Sequence, residues 1–473
     1  MNVNTIDIII IFAYLLGMLA VGFIVRKRAG NSTENYLLAG KGLGFGMMFP
    51  CMAAVMIGGG STLGAARYGY ETGFGASWYL IWQGIGLIIL GLFLAKKLMK
   101  LNITTVSELL SLRFGEISRV YSAVIMVVYE TMLAVSQVIS IGTVLSTLTG
   151  LDIRWAMIVG GGIALIYSYV GGMVAITMTD FMQWILMTAG IFIILLPFSI
   201  AKGGGISNIV SSLPESYWNF GSIGLVDEIL PKFLLFTLGI MIGQELWQRM
   251  FTARDLKTAR IGTVAAGGYA LIYGLACVFI GMIAVVVIPG NADTQSTFVL
   301  MVIEAVPVGL SGLIFAGVLS ALMSTLSGPL LASATLIVND IYLPIKKSEI
   351  PDEKKMRIVK LIMGCLCIFV MIAAFFIQDL LVALDMAYAI LSGGLFVPIV
   401  CALVWKRATT KGALASMMIS TIVIVITLFV FGFTSYIPIL IGFVVSVIVF
   451  TVVSLATPKQ ENNKIEELLS ADD

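Results

Sequence analysis

Histidine is absent from all 473 residues. The usual proton-relay side chain and the usual transition-metal ligand are therefore missing, and either chemistry would fall to carboxylates alone. Charge is scarce as well, with Asp, Glu, Lys and Arg making up 11% of the chain. The five cysteines, Cys51, Cys277, Cys365, Cys367 and Cys401, show no ligand spacing. Residues two apart on a helix face different ways, so the cysteines read as small buried hydrophobes rather than a disulfide framework or a metal site. No glycine-rich stretch ends in Gly-Lys-Ser or Gly-Lys-Thr, which argues against an ATP-driven motor within the chain. No nucleophile–base constellation is legible, which argues against an enzyme. The net charge of +2 says nothing about nucleic acid, because the basic residues are distributed by topology, and no nucleic-acid partner is expected.

What is abundant is apolar surface. Hydrophobic residues make up 59% of the chain and mean hydropathy is +1.05, more than a soluble domain of this length buries. The composition predicts an all-α polytopic membrane protein. Runs of about 20 apolar residues fall near 5–25, 44–69, 76–99, 117–147, 154–170, 176–200, 229–250, 260–288, 309–343, 357–377, 381–405, 412–432 and 436–457. That is about thirteen transmembrane helices. The first run carries Asp7 in place of a basic leader and no small-residue cleavage motif follows, so it reads as a retained helix.

Basic residues orient the spans. With the N-terminus outside and the C-terminus cytoplasmic, 24 of the 28 Lys and Arg residues fall on cytoplasmic connections or the tail, leaving Arg67, Arg154, Lys202 and Lys232 outside. The cytoplasmic groups include Arg26, Lys27, Arg28, Lys347, Lys464 and Arg249. A multi-pass protein of the cell's inner (plasma) membrane is expected, with the lipid bilayer as its surroundings.

Two interruptions and one polar seam stand out. Gly58, Gly59 and Gly60 sit together at mid-span, where each destabilises a helix interior by about 1 kcal/mol relative to Ala. A break there frees carbonyls near Ala54 and Ile57 as ligands; close packing by a neighbouring helix is the plainer alternative. Five spans later, Gly239 and Gly243 flank a second weak point, followed by Gln244 and Glu245. Broken helices five spans apart are what an inverted repeat of five plus five helices requires. In the run from Gly312 to Tyr342, Ser320, Ser324, Thr325 and Ser327 lie at i, i+4, i+5 and i+7, and most share one face. Hydroxyls in hydrocarbon need a partner. The seam predicts a sodium site, against the alternative that it only packs helices together.

Two stretches, SYVGGMVAITMTDFMQ (Ser168 to Gln183) and GLIFAGVLSALMSTLSGPLLASATLIVNDIY (Gly312 to Tyr342), resemble the signatures of the sodium:solute symporter family, and the likeness runs over essentially the whole chain. The resemblance implies a LeuT-type five-plus-five inverted repeat. Residues 1–43 would be an additional helix and loop, 44–200 the first repeat, 201–406 the second, and 407–473 two peripheral helices and a tail. It also implies symport of sodium with a small organic solute such as an amino acid, carboxylate or sugar. The family's sodium ligands carry over to the carbonyls of Ala54, Ile57 and Ala321 and the hydroxyls of Ser324 and Thr325. Neutral oxygens of this kind suit a hard monovalent cation.

Asp180 is either a residue capping or snorkelling at a span end or a deeper carboxylate that needs a partner. Some family members place a second sodium between this aspartate and two hydroxyls. The matching positions are Ser327 and Gly328, and the latter lacks a hydroxyl. Asp180 and Ser327 are thus candidates for a second sodium or for an exit relay. By the same resemblance the solute lies at Gly58, Gly59, Gly60, Ser61 and Gln83. Depth alone adds Glu130, Gln244 and Glu245. Proton coupling through Asp180 or Glu130 in the same fold, and a transporter-like membrane sensor, are the alternatives.

Overall fold

The computed structural model describes residues 4–29, 41–346, 350–459, 465 and 468, without several of the side chains in 19–29 and 167–175. Lys347, Lys464, the side chains of Arg26, Lys27 and Arg28, and that of Ser168 lie outside the described residues. Every named element among the described residues is helical. In a bilayer no water pairs with backbone groups, and a helix satisfies them within the segment.

Nine helices among the described residues are long and apolar enough to cross a membrane, by length and composition. Thr5–Met18, Phe45–Met56 and Ile153–Ile166 are shorter apolar helices. Three of the thirteen expected spans correspond to these shorter helices, and the run near 229–250 is divided at Gly243, so it is not among the nine. Gly60–Leu101 is helical over 42 residues, about twice the length a bilayer needs. Its expected division falls at Gly73, which takes φ +67° and caps Ala65–Thr72 before Ser77–Ile89 begins. The other expected division, near 171–175, is no break in the helix, since Gly162–Ala189 is continuous. Two glycines cost a helix about 2 kcal/mol together, which the apolar residues on either side outweigh.

The two expected breaks are present. Phe45–Met56 ends at Ile57 (φ −91°, ψ 57°), and the chain resumes as Gly60–Gly64 and Ala65–Thr72. Leu238–Ile242 ends at Gly243 (φ −63°, ψ 126°), and Gln244–Met250 follows. The second break therefore sits at Gly243 alone, while Gly239 stays inside a helix.

The centre of the molecule is the stretch Leu310–Lys346, 89% buried over its most apolar window, against 22% for Asp352–Ile377 and 28% for Thr410–Phe431. Leu310–Leu336 packs against Glu116–Thr149, Gly162–Ala189 and Thr5–Ala29, and touches Phe45–Met56. Asp7 fixes its start from another helix, its Oδ1 accepting the N–H groups of Gly309 and Gly312, each at 2.8 Å. These are N–H groups with no partner inside their own helix, and the carboxylate also meets the positive end of the helix dipole. Tyr14 donates to Ser320 at 2.5 Å about two turns deeper, so the seam's first hydroxyl is taken up by the N-terminal helix.

Candidate functional site

At the first break Ile57 N–H turns back onto the Ala54 carbonyl at 3.2 Å. Facing it from Leu310–Leu336, Thr325 Oγ1 lies 3.5 Å from the Ala54 carbonyl oxygen and 3.3 Å from that of Val55. A hydroxyl and main-chain carbonyls form a neutral oxygen set suited to a hard monovalent ion. Val55 is the member that the sequence reading missed. Ile57, whose carbonyl was expected in the set, follows at the break itself.

Ser324 points elsewhere. Its Oγ donates to Asp180 Oδ1. Asp180 is fully buried, and its Oδ2 also accepts from Cys51 Sγ at 3.2 Å and from Arg249 Nη2 at 3.4 Å. Asp180 is thus the deep, partnered carboxylate rather than a helix cap. Arg249, grouped by sequence with a cytoplasmic connection, is 1% exposed and lies inside the protein. Its guanidinium rests on Gly328: Nη1 lies 2.6 Å from where a Cβ on that glycine would be. Ser327 Oγ donates to its own helix, to the Ser324 carbonyl at 2.8 Å. Arg249 therefore holds the ground beside Asp180 and Gly328 where the resemblance allowed a second sodium, and supplies one positive charge there.

A small cavity of about 30 Å³ opens beside the break, lined among others by Gly58, Gly60, Ser61, Gln83, Gln137, Glu245, Thr325 and Tyr388. That volume holds about two waters. Around it the unwound backbone is tied down at three points. Gly59 N–H donates to Gln137 Oε1 at 2.8 Å, Ser61 Oγ to the Met56 carbonyl at 2.5 Å, and Tyr79 O–H to the Gly60 carbonyl. At Gly59 only glycine fits, since a Cβ would stand 2.0 Å from Ser140 Oγ. Gln137 and Tyr388 were not singled out in the sequence. Gln137 was findable as a lone amide in an otherwise apolar stretch of Glu116–Thr149, seven residues from Glu130 on the same face.

The three depth-based candidates separate. Glu245 lines the cavity, with its Oε1 accepting from Tyr129 O–H at 2.9 Å. Glu130, fully buried behind it, accepts from the Glu245 N–H at 3.1 Å. Gln244 points away, its Oε1 accepting from Val106 N–H at 2.8 Å and its Nε2 donating to the Thr104 carbonyl at 3.1 Å. One residue along a helix is a turn of about 100°, which sends Gln244 and Glu245 to different neighbours.

A model of the sodium:solute symporter family matches residues 36–420. The chain is 24% identical to a sodium/glucose cotransporter of Vibrio parahaemolyticus, over 89% of this chain and 84% of that protein. It is 24% identical to a high-affinity proline transporter of Bacillus subtilis (86% and 89% covered) and 24% identical to a sodium/pantothenate symporter of Escherichia coli (86% and 87%). Among solved structures, a Na+-coupled sialic acid symporter in a substrate-bound outward-open state superposes with a TM-score of 0.83 at 21% identity, covering 97% of this chain and 99% of that one.

Proposed function

The chain belongs to the sodium:solute symporter family, and from that premise we propose how its own residues couple sodium to the import of a small organic solute. The observation that carries the reading is Thr325 Oγ1 of Leu310–Leu336 set against the Ala54 and Val55 carbonyls at the end of the broken helix. A sodium ion bound there, with Ile57, Ala321 and Ser324 as further ligands, ties the broken helix to Leu310–Leu336. That stabilises the conformation in which the solute space beside Gly58 to Ser61 and Gln83 is accessible. Solute binding then favours closure, and low cytosolic sodium draws the ion off on the other side. Coupling is worth only the difference in ion affinity between the two conformations.

Asp180 and Arg249 act as a fixed electrostatic support. The ion pair receives the Ser324 hydroxyl when it leaves sodium, as in this conformation, and Asp180 passes the ion toward the cytoplasm as Ser324 turns to it. One sodium is carried per solute in this scheme, because Arg249 already neutralises Asp180. Residues 44–200 and 201–406 form the two inverted repeats, with 1–43 and 407–473 outside them, the N-terminus outside the cell and the C-terminus cytoplasmic. The clustering of basic residues supports that orientation.

The test is uptake into proteoliposomes from a panel of labelled amino acids, sugars and carboxylates. Uptake should need an inward sodium gradient and stop when sodium is equal on both sides. Uptake driven by a pH gradient without sodium would contradict the reading.

A further inference from the structure

Glu245 and Glu130 stand out in the core. They are 2% and 0% exposed, and neither forms an ion pair among the described residues. Each uses one carboxylate oxygen, Glu245 Oε1 toward Tyr129 and Glu130 Oε1 toward the Glu245 amide. Beyond these contacts the two carboxyl groups hydrogen-bond to each other, which takes a shared proton and leaves the pair with one negative charge. Nearby, the amino groups of Arg249 are committed to Asp180 and to the main-chain carbonyl of Glu245, the latter at 3.4 Å. One negative charge held on two buried carboxyl groups with no ion pair of its own among the described residues is costly, and it is balanced where a cationic partner arrives from outside.

The wall around Glu245 indicates what kind of partner. No Lys or Arg lines the cavity, so a carboxylate on the solute would meet no cationic side chain and would face Glu245. Tyr388 lines the same cavity and stands edge-on to Tyr129 (5.4 Å between centroids) and to Phe236 (5.1 Å). A carboxylate beside aromatic rings is the chemistry that recognises an ammonium group, by ion pairing and by attraction to the ring faces. The remaining lining, Ser61, Gln83, Gln137, Leu133 and Leu384, is neutral and suits the rest of a small organic molecule.

We infer that Glu245 is a specificity-determining residue that binds an ammonium group on the transported solute, so the cargo is an amine-bearing molecule rather than a sugar or a simple carboxylate. This rests on the cavity beside the helix break being the solute site. It narrows that reading to one chemical class.

The experiment is thermal unfolding of the purified full-length chain in saturating sodium, with choline, putrescine and ethanolamine as ammonium-bearing probes and glucose and pantothenate as controls. A ligand that binds only the folded state raises the midpoint. At least one ammonium-bearing probe should raise it, and neither control should. Glu245→Gln should weaken that probe's apparent affinity about ten- to a hundredfold, the loss of one charge-assisted contact. Glu245→Asp, which keeps the charge at shorter reach, should retain the preference for ammonium over glucose. The inference is overturned if glucose or pantothenate stabilises the wild-type chain, if none of the three ammonium-bearing probes does, or if an ammonium probe binds Glu245→Gln unchanged. A sodium titration without solute separates this result from the broader reading. A chain that responds to sodium but to no amine loses only the present inference, whereas one that ignores sodium loses the coupling scheme itself.

Discussion

The guanidinium of Arg249 fills the space that a side chain at position 328 would need, with Nη1 2.6 Å from the Cβ position of Gly328 and Nη2 3.4 Å from Asp180 Oδ2. The glycine on one helix and the arginine on another are two halves of one fit. Gly328→Ser restores a hydroxyl to the seam but drives the guanidinium off its carboxylate. Thermal unfolding should show destabilisation of about 1–3 kcal/mol, as for other overpacked core sites. An unchanged midpoint would mean that the space is not shared.

Arg249→Met leaves Asp180 buried with only Ser324 and Cys51 as partners. Removing one member of a buried ion pair costs about 3–5 kcal/mol. Asp180→Asn combined with Arg249→Met should cost less than the two single losses added together. Simple additivity in denaturant titrations would show that the pair is not coupled.

Asp7→Ala strips two N–H groups of Leu310–Leu336 of their acceptor. The expected loss is about 1 kcal/mol, typical of a removed cap, with the sodium response unaltered. A changed sodium response would place the N-terminal helix within the coupling machinery.

Gln137→Leu removes the acceptor of the Gly59 amide at the helix break. An orphaned buried donor costs about 1–3 kcal/mol. The solute concentration giving half-maximal uptake should rise, and that of sodium should move less. A selective shift in sodium would assign Gln137 to the ion site.

Much of this arrangement was legible in the sequence, for identifiable reasons. Three consecutive glycines cannot hold a helix against a carbonyl-hungry neighbour, so the break at Ile57 and Gly58 was readable. The helical spacing of Ser324 and Thr325 put hydroxyls on the helix that faces the first break. Periodicity could not say that the two would diverge, Thr325 to the Ala54 and Val55 carbonyls and Ser324 to Asp180. Adjacent residues point about 100° apart, and which neighbour each meets depends on how helices cross. Arg249 was misplaced for a related reason. Charge counting puts an arginine near a span end on a polar connection, yet its partner is 69 residues away in sequence and only tertiary packing brings the two together. The same limit applied to Gln244, which depth alone could not tell from Glu245. The backbone stays helical through 171–175 because two glycines are a weak signal where the residues around them favour helix.

The central claim is that Thr325 and the carbonyls of the first helix break bind the coupling sodium, and it is tested most directly by titrating sodium against the thermal midpoint of the purified chain, with potassium as the control. For wild type the midpoint should climb with sodium and stay flat with potassium, following the linkage between ligand concentration and stability. For Thr325→Ala the sodium curve should move to concentrations about tenfold higher, the loss of one ligand worth about 1.4 kcal/mol. Superimposable wild-type and Thr325→Ala curves would contradict the account.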